Sequence, residues 1–375
     1  MSETRLLFLA DAHLGRDAFG VTGEKWSAPF REAFEIARAG GAQVVNSAGD
    51  LFNSCNPTQE AFAQFTRAAF GSTPFVDVEG NHTRGQRRDD LPAASVLGLS
   101  VRSDWQFRTG QAVALSDHVV ALPWPRPVDY LTDAEIAALS IPELIRETRQ
   151  RVMFELVRLC LAAQAPVILT GHAMMSYGAG EPPMLGKDVV LRYEDLCALP
   201  NVAAVLMGHV HDPGQPGYIG STQPTDWGEA GQVKSCVLVT VNGGKVEQRR
   251  IPYTSSLKLS LKDVAVRADG RLEDTGLVGS DSTMPDVLRV RVAVPEGATF
   301  DAATFAHFAA STAGRVLPIE VIPERKVVAR VETPKPLAEM PAAEALSLWL
   351  NQRETDVAVR SEVRAAFAQV REATV

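Results

Sequence analysis

The sequence predicts a layered α/β fold in its first half, and two observations predict it. Short apolar runs alternate with helical periodicity, and the order strand, helix, strand repeats, which implies a largely central sheet covered by helices. Leu6 to Ala10 and Val44 to Ala48 read as buried strands, as do Phe75 to Val78, Val167 to Thr170 and Ala203 to Met207. Between the first two runs lies a helix whose apolar face is Phe30, Ala33, Phe34 and Ala37, stopped by Gly40 and Gly41. Pro57 opens a second helix, with Ala61, Phe62, Phe65 and Ala69 at helical spacing. Arg146 to Ala163 forms a third, with Val152, Leu156, Leu159 and Cys160 inward.

From about residue 234 the pattern turns β-rich. KSCVLVTV and KVEQRRI flank Asn242-Gly243-Gly244, a hairpin signal. A further α+β unit follows: VLRVRVAV as a strand, Ala302 to Ala313 as a helix, then VLPIEVI and KVVARV as strands. Pro334, Pro336 and Pro341 lead into two terminal helices, the last with Val359, Val363, Phe367 and Val370 on one stripe. The reading is three units: 1–254, 255–335 and 336–375.

Bulk properties narrow the class. With 375 residues, 46% hydrophobic and 22% charged, the composition is that of a globular protein large enough for two or three domains. No run of about 18 apolar residues suggests a membrane span. The first segment reads as a strand rather than a signal peptide, which predicts a cytoplasmic protein. Cys55, Cys160, Cys197 and Cys236 form no CxxC pair, so neither a disulfide framework nor a thiolate metal site is expected, and buried thiols are. The formal net charge of −8 does not advertise a nucleic-acid binder, yet a basic face can sit on an acidic protein.

The chemistry-bearing residues sit at strand ends. Asp11-Ala12-His13 follows the first strand, Gly49-Asp50 the second, and Gly80-Asn81-His82 the third. Gly171-His172 and Gly208-His209-Val210-His211 follow two later ones. Each motif alone reads as a cap, a turn or a surface patch. All five in order, each after an apolar strand, do not. The carboxyl ends of strands in an α/β sheet line one crevice, and the HxH spacing puts both imidazoles on one side of a strand. Carboxylate and amide oxygens mixed with imidazoles suit Mn²⁺, Fe²⁺ or Zn²⁺, and the glycines let the chain turn sharply beside them. His118 and His307 lack such context and read as structural or solvated.

The set D-x-H, G-D, G-N-H, G-H, G-H-x-H resembles the calcineurin-like metallophosphoesterase superfamily. Asp11 to Gly15, Gly49 to Phe52 followed by Asn56-Pro57, Leu122-Pro123-Trp124, Tyr218 to Thr222 and Asp226 to Glu229 narrow the resemblance to SbcD-type double-strand-break-repair nucleases. It extends over about residues 5 to 230 and is mainly architectural beyond. The resemblance implies a sandwich of central β-sheets flanked by helices, a small α+β capping domain and C-terminal helices.

For the site, it implies two divalent ions, Mn²⁺ first, with Fe²⁺ or Mg²⁺ as alternatives. Asp11, His13 and His211 would hold one ion and Asn81, His172 and His209 the other. Asp50 would bridge them, and His82 would act as acid or steady the transition state. It implies 3'-5' exonuclease and endonuclease activity on DNA, an SbcC-type SMC-like ATPase partner and a homodimer. Thr83 stands where the family often has Asp. Arg84, Arg87 and Arg88 read equally as phosphate contacts or a solvated loop, and the last helix as a docking stripe or a segment folded on its own core. Two competing readings are a phosphoesterase acting on nucleotides, cyclic nucleotides or phosphoproteins, and a non-catalytic scaffold. A scaffold predicts lost ligands, and every ligand position is filled.

Overall fold

In the computed structural model the described residues are 3–71, 73–83, 105–180, 182, 188–265, 286–294 and 320–323. The chain divides into a compact unit, Met1–Ile322, and a second, Pro323–Val375. The expected Ala302 to Ala313 helix, the KVVARV strand, the terminal helices, His307, Arg84, Arg87 and Arg88 lie outside the described residues.

Strands β1 (Thr4–Leu9), β2 (Val44–Ser47), β3 (Phe75–Val78) and β4 (Trp105–Arg108) join the hairpin of β11 (Ser235–Asn242) and β12 (Lys245–Pro252) in one sheet, ordered β12-β11-β1-β2-β3-β4. A second sheet has the order β10-β7-β6-β5, built from β5 (Val113–Ser116), β6 (Val119–Leu122), β7 (Val167–His172) and β10 (Val202–Gly208). Two smaller sheets pair β8 (Met174–Ser176) with β9 (Val190–Arg192), and order β13 (Leu259–Ala265), β14 (Val287–Val294) and β15 (Glu320–Pro323) as β13-β14-β15.

The one central sheet read from patterning is thus two sheets, the sandwich that the family resemblance implies. The reason lies in the alternation of β1. Leu7 and Leu9 enter a core with Phe30, Phe34 and Phe65 of the helices Gly23–Ala39 and Gln59–Ala69. Leu6, Phe8 and Ala10 enter another with Val119, Ile168 and Leu206 of the second sheet. Strand β7 mirrors this, sending Val167 and Leu169 toward Val152 and Leu156 of the helix Ile141–Ala162. Each sheet is covered by helices on one face and by the other sheet on its second, which explains strands apolar on both sides.

Two helix starts also differ from expectation. Thr58, not Pro57, sets the second: its hydroxyl accepts from Ala61 N at 3.2 Å. The long helix begins at Ile141, ahead of Arg146, because Glu143 accepts from Ser140 N at 2.9 Å in a capping box. All four cysteines are free, but only Cys160 and Cys236 are buried, and Cys197 is exposed. No helix among the described residues is long and apolar enough to cross a membrane.

Candidate metal centre

The five motifs converge at one end of the sandwich. The first sheet contributes Asp11, His13, Asp50, Asn81 and His82 beyond β1, β2 and β3, and the second contributes His172, His209 and His211 from the ends of β7 and β10. His172 is the last residue of β7 rather than a loop residue. His209 and His211 lie beyond β10, so they do not share a strand face as the HxH spacing suggested. They diverge: His209 Nδ1 lies 3.1 Å from Asn81 Oδ1, whereas His211 Nε2 lies 3.2 Å from His13 Nε2.

Local backbone strain marks the site. Six non-glycine residues among those described have positive φ, and four of them are Asp11, His13, Asp50 and His209. Such conformations cost of order 1–3 kcal/mol each and persist only where the surroundings hold them. The surroundings are ladder-like bonds between adjacent strand ends, with Asp11 N on Gly49 O at 3.0 Å and His13 N on Asp50 O at 2.9 Å. Glycines supply room. A Cβ on Gly80 would sit 2.1 Å from Asp50 Oδ1, and one on Gly171 (φ +142°) would sit 2.0 Å from Leu122 O.

Hydrogen bonds then assign the ring protons. His172 Nδ1 lies 2.9 Å from Ala48 O, and a carbonyl only accepts, so this nitrogen carries the proton. Its Nε2 faces Asn81 Oδ1 at 2.9 Å and Asp50 Oδ2 at 3.3 Å. His211 Nδ1 likewise lies 3.0 Å from Glu229 Oε1, turning its Nε2 toward His13 Nε2 and toward Asp11 Oδ1 at 3.9 Å. Ring nitrogens and side-chain oxygens therefore converge in two places, His172 Nε2 with Asn81 and Asp50, and His211 Nε2 with His13. Ligand atoms of Asp11, His13 and His211, of His13, Asp50 and His82, and of Asp11, Asp50 and His172 each lie within 4.8 Å of one another. The donor set fits divalent cations of borderline hardness.

Burial dominates the electrostatics. It pushes the Asp11 carboxyl up, against the pull of His172 and His211. It pushes His13 and His209 down to about 3. Burial also opposes charge on Asp50 and His172, but their mutual attraction wins. Asp50 is held well below the usual carboxylate range and His172 is carried up to about 9. The protein thus draws a positive charge to this spot. Burial raises Asp77 of β3 well above the carboxylate range, making it a neutral acid behind the site.

His82 is exposed; its N–H donates to Asp50 Oδ1 at 2.9 Å and its ring meets that of His13 edge-on, centroids 4.9 Å apart. Thr83 is buried and its hydroxyl accepts from Gly80 N at 3.0 Å, so it pins the turn that presents Asn81 and His82. Sequence reasoning missed several supports. Trp26 Nε1 donates to His13 O at 3.0 Å, Trp124 packs on His209 with centroids 4.8 Å apart, and Thr225, Glu229 and Lys234 gather behind His211. In the sequence, Trp124 and the segment Asp226 to Glu229 carry only a family likeness. His118 is remote, its Nδ1 lying 3.0 Å from Pro166 O, a structural role as expected.

A two-sheet sandwich with acids and imidazoles gathered at its strand ends is the frame of a metal-dependent phosphoesterase. The family description "Calcineurin-like phosphoesterase" matches residues 4–213, more than half of the chain, and the chain belongs to that family. Among solved structures it is similar to a dimetal phosphatase from Danio rerio, at 12% identity over 67% of this chain and 99% of that one, TM-score 0.37. It is also similar to a metallophosphoesterase from Sphaerobacter thermophilus, at 15% identity over 68% and 90%, TM-score 0.27.

Proposed function

We propose that the chain is a Mn²⁺-dependent DNA phosphodiesterase, exo- and endonucleolytic, of the SbcD type, working with an SbcC-type SMC-like ATPase. The observation that carries the two-ion part is the pair of ligand-atom convergences, His172 Nε2 with Asn81 and Asp50, and His211 Nε2 with His13. Asp11, His13 and His211 would hold one ion and Asn81, His172 and His209 the other, with Asp50 between. Two divalent ions held there offset the charge of an anionic phosphodiester and make hydroxide available near neutral pH.

The chain's own residues supply the rest. His82, exposed beside Asp50 and His13, would protonate a leaving oxygen. Supporting the DNA reading is the stretch from Tyr218 to Glu229, which carries the SbcD likeness and is also built into the site, since Glu229 touches His211. Residues 255–335 would cap the DNA, and 336–375 would dock on the ATPase. The test is cleavage of end-labelled linear and hairpin DNA with Mn²⁺ by wild type and His82→Ala. Wild type cuts, and the variant keeps its metal but slows by about 10²–10⁴-fold. Turnover of a small phosphodiester with no cleavage of any DNA form would overturn the substrate.

A further inference from the structure

Behind His211 lies a buried polar assembly that sequence patterning left without a role. Glu229 is 6% exposed and Lys234 2%. One Glu229 oxygen, Oε1, accepts from Thr225 Oγ1 at 2.7 Å and lies 3.0 Å from His211 Nδ1. Thr225 Oγ1 is itself 2.8 Å from the same ring nitrogen. The other oxygen, Oε2, accepts from Ser221 Oγ at 3.3 Å and from Lys234 Nζ at 2.5 Å. Lys234 Nζ also donates to His211 O at 2.9 Å. One ion pair therefore grips His211 at both its ring and its main chain.

A buried ion pair is a poor device for stability alone, because desolvation of two charges offsets their attraction and apolar replacements often do as well. Its geometry serves something narrower. Both partners of Nδ1 accept, which holds the ring as the Nδ1–H tautomer and leaves Nε2 aimed at His13 and Asp11. A carboxylate on the far nitrogen also raises the basicity of an imidazole ligand.

We propose that Glu229, balanced by Lys234, is a positioning residue that sets the tautomer and ligand strength of His211, and so the affinity of the ion held by Asp11, His13 and His211. This rests on the two-ion reading above. The test uses the full chain, stripped of metal and titrated calorimetrically with Mn²⁺, with histidine-ring NMR of the metal-free protein. Wild type takes up two ions and His211 shows an Nδ1–H. Glu229→Gln, nearly isosteric but able to donate as well as accept, lowers one affinity about 10–100-fold, leaves the other unchanged and releases the tautomer. Thr225→Val lowers the same affinity by less. Two affinities at wild-type values, an equal loss in both, or an unaltered Nδ1–H in Glu229→Gln would overturn the proposal. Failure of wild type to bind two ions would overturn it together with the two-ion reading. Normal Mn²⁺ behaviour without DNA cleavage would sink only the choice of substrate.

Discussion

The two halves of the centre are held in different ways. His172 is fixed by main chain: it ends β7, its Nδ1 bonds Ala48 O across the sandwich, and its neighbour Gly171 pairs with Leu122 of β6, where a Cβ would not fit. His211 lies outside any strand and its ring is fixed by side chains, Thr225 and Glu229, while its carbonyl accepts from Lys234 Nζ at 2.9 Å and more weakly from Ser221 N at 3.3 Å. The first half inherits its geometry from the two sheets. The second needs a loop that returns from the chain more than a dozen residues later, with charges of its own. Asp50 belongs to both, since its Oδ2 faces His172 and its ligand atoms group with His13.

The sharpest way to break this comparison is to remove what the halves share. Asp50→Asn keeps the side chain's shape and its tolerance of the left-handed backbone (φ 51°) while removing the charge. We expect it to lose bound Mn²⁺ from both halves and to lower activity by more than the ~10–100-fold typical of outer partners. Metal analysis of the dialysed protein checks this, and retention of one ion with normal turnover would show the halves to be independent. Next in size is Gly171→Ala, which strikes the backbone-held half. A methyl 2.0 Å from Leu122 O, at φ +142°, must push β6 and β7 apart. A destabilisation of about 2–4 kcal/mol in urea titration is expected, with loss of metal from the His172 half first. A variant as stable as wild type would mean that the sheets are not the rigid frame described.

How much of this was readable beforehand follows the same division. The strand-end residues Asp11, Asp50, Asn81 and His172 were legible, because apolar runs followed by Gly and a ligand type are local signals. The strand VLRVRVAV was placed at Val287–Val294 without error for the same reason. That the runs form two sheets was legible only through the family resemblance, not in the patterning. It depends on which face of β1 meets which partner, a long-range choice that alternation within one apolar run does not encode. Nor were Glu229 and Lys234 as supports of His211. A Glu beside Trp-Gly and a lone Lys before a strand look like surface charges until the loop folds back and buries them. His209 and His211 showed the limit of spacing rules: strand periodicity does not survive a residue at φ 98°.

The smallest expected effect separates proton from metal. In the metal-free protein His172 titrates near 9, above its usual 6.5, because Asp50 outweighs the cost of burial. A raised folded-state value means the protonated ring stabilises the fold. That stability is fully present below pH 6.5 and is lost as the pH rises through 9. His211 is raised as well, by Glu229 acting against burial, and works in the same direction. His13 and His209, pushed down to about 3, have relieved their penalty once the pH passes 6.5, so they add little above it. The melting temperature of EDTA-treated protein should therefore fall by a few degrees between pH 6.5 and 9. With excess Mn²⁺ it should hold or rise, since an ion takes the proton's place and binding releases protons. Calorimetric melts of both forms measure this, and a flat or rising curve for the metal-free form would refute it. Divergence of the two curves would mean that the charge the protein draws to His172 is supplied by a proton only when no cation is there.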